Sequence, residues 1–255
     1  MKNEYISIIT PTYNSSAYIA ETIRSVLNQT YENWEFLLVD DFSSDNTVSI
    51  IESFSCLDSR IKLIKNTENM GAAFTRNKAI LESKYPYMAF LDSDDIWVNE
   101  KLNNQLLFMK INGFAFSFSG YEIIDSNGMS TGKSVDTTQE GSFSYEDMLL
   151  KKATLGCSTV MLNKLKFSGL LNMPSIRTGQ DYAFWLKLLK NTDEKAHVIP
   201  SPLTKYRITP KSISRNKAKK AQRQWFIYRK IEHLSLLYSC YCFCFYAFRA
   251  INKTQ

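Results

Sequence analysis

Three aspartates stand within four positions of the segment FLDSDDIW, residues 90–97, directly behind an apolar run. Neighbouring carboxylates repel one another unless a positive group lies among them. Mg²⁺ and Mn²⁺ prefer oxygen ligands, and they often combine one or two carboxylates with the phosphates of a substrate. An extended chain would place Asp92 and Asp94 on one side and Asp95 on the other. The segment therefore indicates a divalent-metal site; the alternative is that Asp94 or Asp95 only caps a helix at 99–110.

The elements around these aspartates follow a regular order. Apolar strands are predicted at 5–10, 34–41, 60–66 and 87–92, and helices at 17–29, 45–54, 71–83 and 99–110. Continuous apolar strands that alternate with helices are typical of a parallel sheet covered on both faces. Ligands bind beyond the carboxyl ends of such strands, where the aspartates at 40–41 and 92–95 both fall. The sequence therefore predicts an α/β fold with a site at these ends.

The pattern after residue 110 is less regular. Residues 113–125 alternate like an antiparallel strand, 126–134 have the composition of a turn-rich loop, and 157–162 are consistent with another strand. Residues 179–191 have apolar side chains at helical spacing. With no internal repeat or low-complexity linker, one α/β domain with a C-terminal extension is the simplest organisation.

Composition and charge narrow the class of protein. The 255 residues are 44% hydrophobic and 22% charged, as in an ordinary globular protein, and no segment reaches the roughly 20 apolar residues that span a bilayer. Five cysteines without a CxxC pair favour reduced thiols and a cytoplasmic location. The net charge of +6 is uneven, because residues 205–230 hold ten Lys or Arg and no acid. This basic region is expected to face an anion.

Five blocks of the chain, in order, resemble those of the family-2 glycosyltransferases. They are residues 6–47, GAAFTRNKAI (71–80), FLDSDDIW (90–97), GQDYAFWLKLL (179–189) and YRITPKSIS (206–214). The likeness covers about residues 5–230, and it is strongest to enzymes of the teichuronic-acid type that build bacterial cell-envelope polysaccharides. It implies a GT-A fold: a single Rossmann-like, mostly parallel sheet with helices on both faces. The implied domain covers 1–215, with a nucleotide-binding half (1–110) and an acceptor-binding half (111–215), followed by a helical extension (216–255).

The resemblance implies a nucleotide site at the strand ends. The residues implied are Pro11, Thr12, Tyr13, Asp41, Arg76, Asp92 and Ser93. Tyr13 would stack on a uracil ring, and Asp41 would accept the N3–H of that base. Arg76 would face the nucleotide or its diphosphate, and Asp92 would lie near the ribose.

The resemblance also implies a metal site of the DxD type that binds Mn²⁺ or Mg²⁺. Asp94 would be the direct ligand, and Asp95 would support it or cap a helix. Relatives often have His where Thr209 stands, so Arg207 and Lys211 are better candidates for holding the diphosphate, by charge.

A base for an inverting transfer is implied in the block GQDYAFWLKLL. Asp181 would take the proton of the acceptor hydroxyl as that hydroxyl attacks the anomeric carbon. Many relatives have Glu-Asp where this chain has Gln180-Asp181, which removes an acid that could bind acceptor or tune the base. Gln180, Tyr182 and Trp185 are candidate acceptor contacts, with a core or rim position as the alternative for the two aromatic residues.

Together these features predict a metal-dependent enzyme that moves a sugar from a UDP-sugar to a lipid-linked or polysaccharide acceptor. The alternative is a catalytically inactive nucleotide-binding or scaffold protein of the same fold, which the departures at Gln180 and Thr209 favour. A dinucleotide oxidoreductase is disfavoured because no G-x-G-x-x-G follows the first strand. Nucleic acid is not an expected partner, since no recognised module accompanies the basic region.

The aromatic tail, residues 233–253, follows the basic region directly. Its composition predicts contact with a membrane interface, which would place the protein at the inner face of the cytoplasmic membrane. The alternatives are a helix packed on the domain and a homodimer contact.

Overall fold

The computed structural model describes residues 4–209 and 217–252. The strands are β1 (Ile6–Thr12), β2 (Trp34–Asp40), β3 (Ile61–Lys65), β4 (Tyr87–Phe90), β5 (Ile96–Trp97), β6 (Phe116–Ile124), β7 (Ser130–Val135), β8 (Ser142–Phe143), β9 (Val160–Asn163) and β10 (Ala196–Arg207). The helices are α1 (Ile19–Leu27), α2 (Thr47–Ser55), α3 (Ala72–Glu82), α4 (Lys101–Asn112), α5 (Tyr145–Leu149), α6 (Gln180–Lys190), α7 (Lys217–Phe226) and α8 (Leu236–Asn252).

The strands form one sheet in the order β3-β2-β1-β4-β9-β6-β10-β5, with β7 paired to β6 and β8 paired to β10. Strands β1 to β4 pair in parallel, so their carboxyl ends meet along one edge. Strand β9 then runs antiparallel between β4 and β6. A parallel, Rossmann-like half is thus joined to a mixed half through β9.

Helices cover both faces of the sheet, as predicted. Helices α1, α2 and α4 pack on one face, around a core that includes Ile23, Trp34 and Leu106. Helices α3, α5 and α6 pack on the other face, where the Trp185 ring lies 5.3 Å from Phe90, centroid to centroid. Strands β1, β2 and β4 are therefore buried on both sides, which explains their continuous apolar runs, whereas the edge strand β3 is only partly buried.

One element differs from the sequence prediction. Residues 126–134 were expected to form a loop, but Ser130–Val135 forms β7, antiparallel to β6. Most of β7 is exposed, so backbone hydrogen bonds to β6 hold it rather than apolar burial. A strand of this kind carries no hydrophobic pattern that periodicity could detect.

The C-terminal extension packs against the domain. It consists of α7, a short π-helical segment at Ile227–Ile231 and α8. Ile227, Tyr228 and Cys242 are fully buried in the same core as α6. Within the described residues, no helix combines the length and the apolar character needed to cross a bilayer.

A buried lysine lies beneath the sheet. Lys101 has no exposed surface; its Nζ lies 2.5 Å from Gln105 Oε1 and 4.4 Å from the centroid of the Trp97 ring. Gln105 Nε2 in turn donates to Ser117 Oγ and to the carbonyl of Thr159. Burial disfavours the charged amine and lowers the pKa of Lys101 to about 7.

We predict that Lys101 makes the stability of this protein depend on pH between about 7 and 10. In this window the unfolded chain binds the Lys101 proton more tightly than the folded chain does, so the free energy of unfolding should rise with pH. Lys101→Met should remove this component, and the stability of the variant relative to wild type should fall by about 1–3 kcal/mol from pH 7 to pH 9.5.

Urea unfolding at both pH values measures the effect, with Lys166→Met as an exposed control. Parallel pH profiles for wild type and Lys101→Met would contradict the prediction.

Candidate active site

The carboxyl ends of β1 and β2 carry a linked set of polar side chains. Thr12 is buried and donates from Oγ1 to Asp40 Oδ1 at 2.9 Å, while Pro11 beside it is half-buried in β1. Tyr13, the next residue, is 52% exposed above the end of β1. The strand ends thus hold the backbone firmly while leaving the tyrosine ring free for contact.

Asp41 fastens the segment between β3 and α3. Its carboxylate accepts bonds from Asn66 Nδ2 at 2.9 Å and from the backbone N–H groups of Met70 and Gly71, both at 2.8 Å. Within residues 4–209 and 217–252, Oδ2 accepts only the bond from Gly71, so it has capacity for one more donor. A bond from a uracil N3–H stays a prediction, and it would have to be made there.

The three aspartates of FLDSDDIW lie in different environments. Asp92 pairs with Arg76 at 2.5 Å, Asp94 lines a cleft, and Asp95 has no exposed surface. Burial, and then the neighbouring Asp92 carboxylate, raise the pKa of Asp94 to about 6. The aspartates therefore do not act as one acidic cluster.

Asp95 is a structural anchor. Its Oδ1 accepts from the backbone N–H of Arg207 at 2.9 Å, and its Oδ2 accepts from Ser158 Oγ at 2.5 Å. Burial, then the nearby Asp94 and Asp92, raise the pKa of Asp95 well above its usual range. The helix-cap alternative for Asp94 and Asp95 is wrong, because α4 begins at Lys101 with Glu100 at its N-cap.

Ser158 joins this network and was not among the predicted site residues. Besides donating to Asp95, its Oγ accepts from the backbone N–H of Asp92 at 3.0 Å. Its carbonyl accepts from Trp97 Nε1 and Thr204 Oγ1. In the segment CSTVML, the polarity of Ser158 is the only feature of the sequence that could have indicated a role at the site.

Arg207 is buried rather than turned toward a ligand. Nε donates to the Asp94 carbonyl at 2.8 Å, Nη1 to the carbonyls of Asp125 and Ser126, and Nη2 pairs with Glu21 at 2.5 Å. Its side chain is 1% exposed. The suggestion that Arg207 holds a diphosphate is therefore at odds with its surroundings, which make it a brace for the Asp94 loop. Lys211, the other candidate, lies outside the described residues.

Arg76, unlike Arg207, is buried with part of its guanidinium unbonded. It is 6% exposed, and Nη2 donates to Asp92, but Nε and Nη1 have no hydrogen-bond partner among the residues that the structure describes. Burial works against its charge, yet Asp92 and Asp181 contribute to raising the pKa of Arg76 above its ordinary value. A buried guanidinium with two unpaired N–H groups has spare donors for an anion.

Asp181 lies in the first turn of α6, within electrostatic range of Arg76. The N-cap residue Gly179 has φ +77°, and a Cβ there would come within 2.8 Å of Arg223 Cδ in α7. Both observations explain glycine at this position. Gln180 is buried, and its Oε1 has no hydrogen-bond partner in the described part of the chain. The charge of Asp181 thus acts on Arg76, although the two residues are about a hundred positions apart in sequence.

Two candidate acceptor contacts are part of the core. Trp185 has no exposed surface and packs on Phe90 and Phe116. Tyr182 is 9% exposed and donates its hydroxyl to the Met148 carbonyl at 2.8 Å. For these residues the core position is correct and the sugar contact is wrong, because helical spacing alone does not show which face of α6 is covered.

An open cleft of about 430 Å³ lies over β1 and the Asp94 loop. It is lined by Tyr13, Asn14, Ser15, Tyr18, Ser93, Asp94 and Thr209. Ser93 is fixed there because its carbonyl accepts from Thr22 Oγ1 at 3.1 Å. Of the predicted nucleotide and metal residues, Tyr13, Ser93 and Asp94 therefore share this cleft, whereas Thr12, Asp41 and Arg76 are buried.

The residues at the cleft fit a divalent cation completed by substrate oxygens. Among the residues that the structure describes, no three His, Cys, Asp or Glu side chains form a ready metal cage. Asp94, however, is a carboxyl whose ionisation is disfavoured by burial and by Asp92, which a cation would reverse. Mg²⁺ and Mn²⁺ commonly bind through one or two carboxylates and phosphate oxygens.

Comparison with known proteins places this site in a family. Residues 7–162 match the family model "Glycosyl transferase family 2". The chain belongs to glycosyl transferase family 2. It is 42% identical over 248 residues to the putative teichuronic acid biosynthesis glycosyltransferase TuaG of Bacillus subtilis (strain 168), covering 97% of this chain and 96% of TuaG.

A second relative and two solved structures extend the likeness. The UDP-Glc:alpha-D-GlcNAc-diphosphoundecaprenol beta-1,3-glucosyltransferase WfgD of Escherichia coli is 41% identical over 225 residues, 88% of this chain and 85% of WfgD. The structure of S. aureus TarS 1–349 with UDP has a TM-score of 0.69 at 20% identity and covers 94% of this chain and 69% of that one. The mannosyltransferase PcManGT from Pyrobaculum calidifontis, with GDP-Man and Mn²⁺, has a TM-score of 0.62 at 16% identity, over 87% of this chain and 61% of that one. The predicted GT-A fold and glycosyltransferase family are confirmed.

We predict that Arg207→Lys destabilises this family-2 glycosyltransferase in the absence of any ligand. Lysine cannot reproduce donors to three carbonyls and a carboxylate, so buried acceptors would lose their partners. The free energy of unfolding should fall by about 2–4 kcal/mol in urea titrations.

The exposed Arg177→Lys is the matched control and should unfold like wild type. If Arg207→Lys instead kept wild-type stability and only lost affinity for UDP, Arg207 would be a phosphate ligand after all.

Proposed function

We propose that this protein is an inverting, metal-dependent glycosyltransferase that moves a sugar from a UDP-sugar to a lipid-linked or polysaccharide acceptor in bacterial cell-envelope synthesis. The observation that carries the proposal is the Arg76–Asp92 ion pair beside Asp94, with the charge of Asp181 acting on the same Arg76. TuaG is named for teichuronic acid biosynthesis, and WfgD for transfer from UDP-Glc to a diphosphoundecaprenol-linked sugar. TarS structures contain UDP or UDP-GlcNAc.

The donor nucleotide would lie over the ends of β1 and β2. Tyr13 has the exposed ring for stacking, and Asp41 has a free acceptor position on Oδ2. Arg76 would direct its unpaired N–H groups toward the diphosphate, while its bond to Asp92 fixes its orientation. Asp94, with Asp92 beside it, would hold Mn²⁺ or Mg²⁺. When bound, the cation stabilises charge on the diphosphate of the leaving UDP.

Asp181 would act as the general base. As the acceptor oxygen attacks the anomeric carbon, the bond from that carbon to the UDP oxygen breaks, and the hydroxyl proton passes to the Asp181 carboxylate. Gln180 at the helix start remains a candidate acceptor contact.

We predict that Asp94→Asn and Asp181→Asn separate donor binding from transfer. In calorimetry, wild-type protein should bind UDP more tightly with Mn²⁺ than in EDTA, and Asp94→Asn should lose this gain because its amide is a poor cation ligand. Asp181→Asn should keep metal-dependent UDP binding and lose about 10²–10⁴-fold in turnover, measured as UDP release from a panel of UDP-sugars.

Equal UDP affinity with Mn²⁺ and with EDTA would contradict the metal assignment. Full turnover by Asp181→Asn would remove that residue from the role of base. Failure of the wild-type protein to release UDP from any donor would favour an inactive scaffold.

Contact with the inner face of the cytoplasmic membrane is part of the proposal. Helix α8 buries Cys242 against the domain, while Tyr238, Tyr241, Phe245 and Phe248 follow one another at helical spacing with 36–64% of their surface exposed. Residues 217–231 are basic and contain no acid. An exposed aromatic stripe beside a basic helix suits an anionic lipid surface, on which a lipid-linked acceptor would lie.

We predict that the double substitution Tyr241→Ser and Phe248→Ser weakens binding to phosphatidylglycerol vesicles by about tenfold or more, since each removes apolar area from the proposed contact. Co-sedimentation with phosphatidylglycerol and phosphatidylcholine vesicles measures it. Leu57→Ser with Leu81→Ser, both highly exposed elsewhere, is the matched control.

Light scattering of the same proteins without vesicles tests the alternative occupant of the stripe. If wild type were a dimer and the double variant a monomer, with equal vesicle binding, the stripe would be a homodimer contact.

A further inference from the structure

Large apolar side chains are exposed around the ends of β1, β2 and the segment that follows β3. The exposed fractions are 52% for Tyr13, 58% for Phe42, 44% for Met70 and 43% for Phe74. Exposed apolar side chains are normal when scattered, but grouped ones mark a binding surface. They come from three segments: Tyr13 follows β1, Phe42 follows β2 directly after Asp41, and Met70 and Phe74 belong to the segment that the Asp41 carboxylate holds through the N–H groups of Met70 and Gly71.

Phe42 is the unusual member of this group. Its φ is +66°, in the left-handed region that bulky residues rarely adopt. Neither burial nor backbone preference explains a phenylalanine there, since the ring is mostly in solvent and glycine would adopt this conformation without strain. Strained positions of this kind concentrate at ligand sites.

The register of the sheet places Phe42 beside the Tyr13 loop. Thr12 pairs with Asp40 in the parallel ladder, and the Asp41 N–H donates to the Thr12 carbonyl at 2.8 Å. The two chains leave the sheet together at this point, so Tyr13 and Phe42 start from adjacent positions. Neither ring is needed to hold the fold, because neither is buried.

Hydrogen bonds fix the two loops to each other. The N–H of Asn14 donates to Ser43 Oγ at 2.9 Å, and the N–H of Ser44 donates to Asn14 Oδ1 at 2.9 Å. Ser43 is itself held by Asp40, through its N–H at 2.8 Å and its Oγ at 2.6 Å. The loop conformation that carries Phe42 is therefore built by its neighbours, and the phenylalanine ring is presented on a rigid base.

We propose that Phe42 is a further specificity-determining residue, which contacts the planar pyrimidine base of the donor together with Tyr13. This inference rests on the proposed function, because it concerns the base of the same nucleotide. Tyr13 supplies one aromatic surface, Asp41 supplies the acceptor for N3–H, and Phe42 supplies a second apolar surface at the end of β2. Phe42 contributes to nucleoside binding and makes no contact with the diphosphate.

The test compares Phe42→Gly, Phe42→Tyr and wild type in calorimetry with uridine, UDP and inorganic pyrophosphate, with Mn²⁺ present. Glycine suits φ +66°, so Phe42→Gly should fold with an unchanged or higher thermal midpoint. Its affinity for uridine and for UDP should fall by the same factor, about 5- to 50-fold, the range expected when a base loses an aromatic contact. Pyrophosphate affinity should be unchanged, and Phe42→Tyr should bind UDP within about twofold of wild type.

Leu57→Ala, which removes an exposed apolar side chain after α2, is the matched control and should bind UDP like wild type. A folded Phe42→Gly that binds UDP as tightly as wild type would overturn the inference while leaving the proposed function standing. An equal loss of UDP and pyrophosphate affinity would also overturn it, since the effect would then lie in the diphosphate site. Wild-type protein that fails to bind UDP would overturn the proposed function itself.

Discussion

The buried Asp95 carboxyl is the contact on which the site depends. The carboxyl accepts from the backbone N–H of Arg207 at the end of β10 and from the hydroxyl of Ser158 before β9. The backbone carbonyl of Asp95 accepts from Thr22 Oγ1 of α1 at 2.9 Å. These bonds join the Asp95 segment to β10, to the segment before β9 and to α1. Because a buried polar group without partners is costly, the four segments are strongly constrained to meet at this point. Asp92 and Asp94 are oriented by the same turn.

The electrostatic design follows from how two arginines are used. Arg207 donates hydrogen bonds to carbonyls of the Asp94 loop and of the turn after β6, so its guanidinium has a structural role. Arg76 donates to Asp92 from Nη2, while its other two nitrogens have no hydrogen-bond partner among the described residues. In Asp94, by contrast, burial and the neighbouring Asp92 disfavour the negative charge and raise the pKa to about 6. A cation and an anion bound together would balance these charges, as a metal-bound diphosphate does.

The C-terminal extension belongs to the same physical system. Arg223 of α7 packs on Gly179, the residue that starts α6 and therefore sets the position of Asp181. Tyr228 and Cys242 of the extension are buried in the core that contains α6. The outward stripe of α8 is thus rigidly connected to the first turn of α6. A surface that contacts lipid through this stripe would keep a fixed relation to the proposed base.

Local sequence determined the elements and the chemical types at the site. Period and apolar runs were enough to place β1 to β4 and α6, and acids directly behind strands predicted the aspartates at 40–41 and 92–95 at one edge, whereas Asp181 was implied by the family resemblance. Tertiary contacts decided what each side chain does: Asp95 is an anchor because Ser158 and Arg207, 63 and 112 residues away, meet it, and Trp185 is core because Phe90 and Phe116 cover it. The left-handed conformation of Phe42 likewise comes from its neighbours Asn14, Ser43 and Asp40 rather than from its own preference. Periodicity is a property of one segment, whereas burial and hydrogen-bond partners depend on segments distant in the chain.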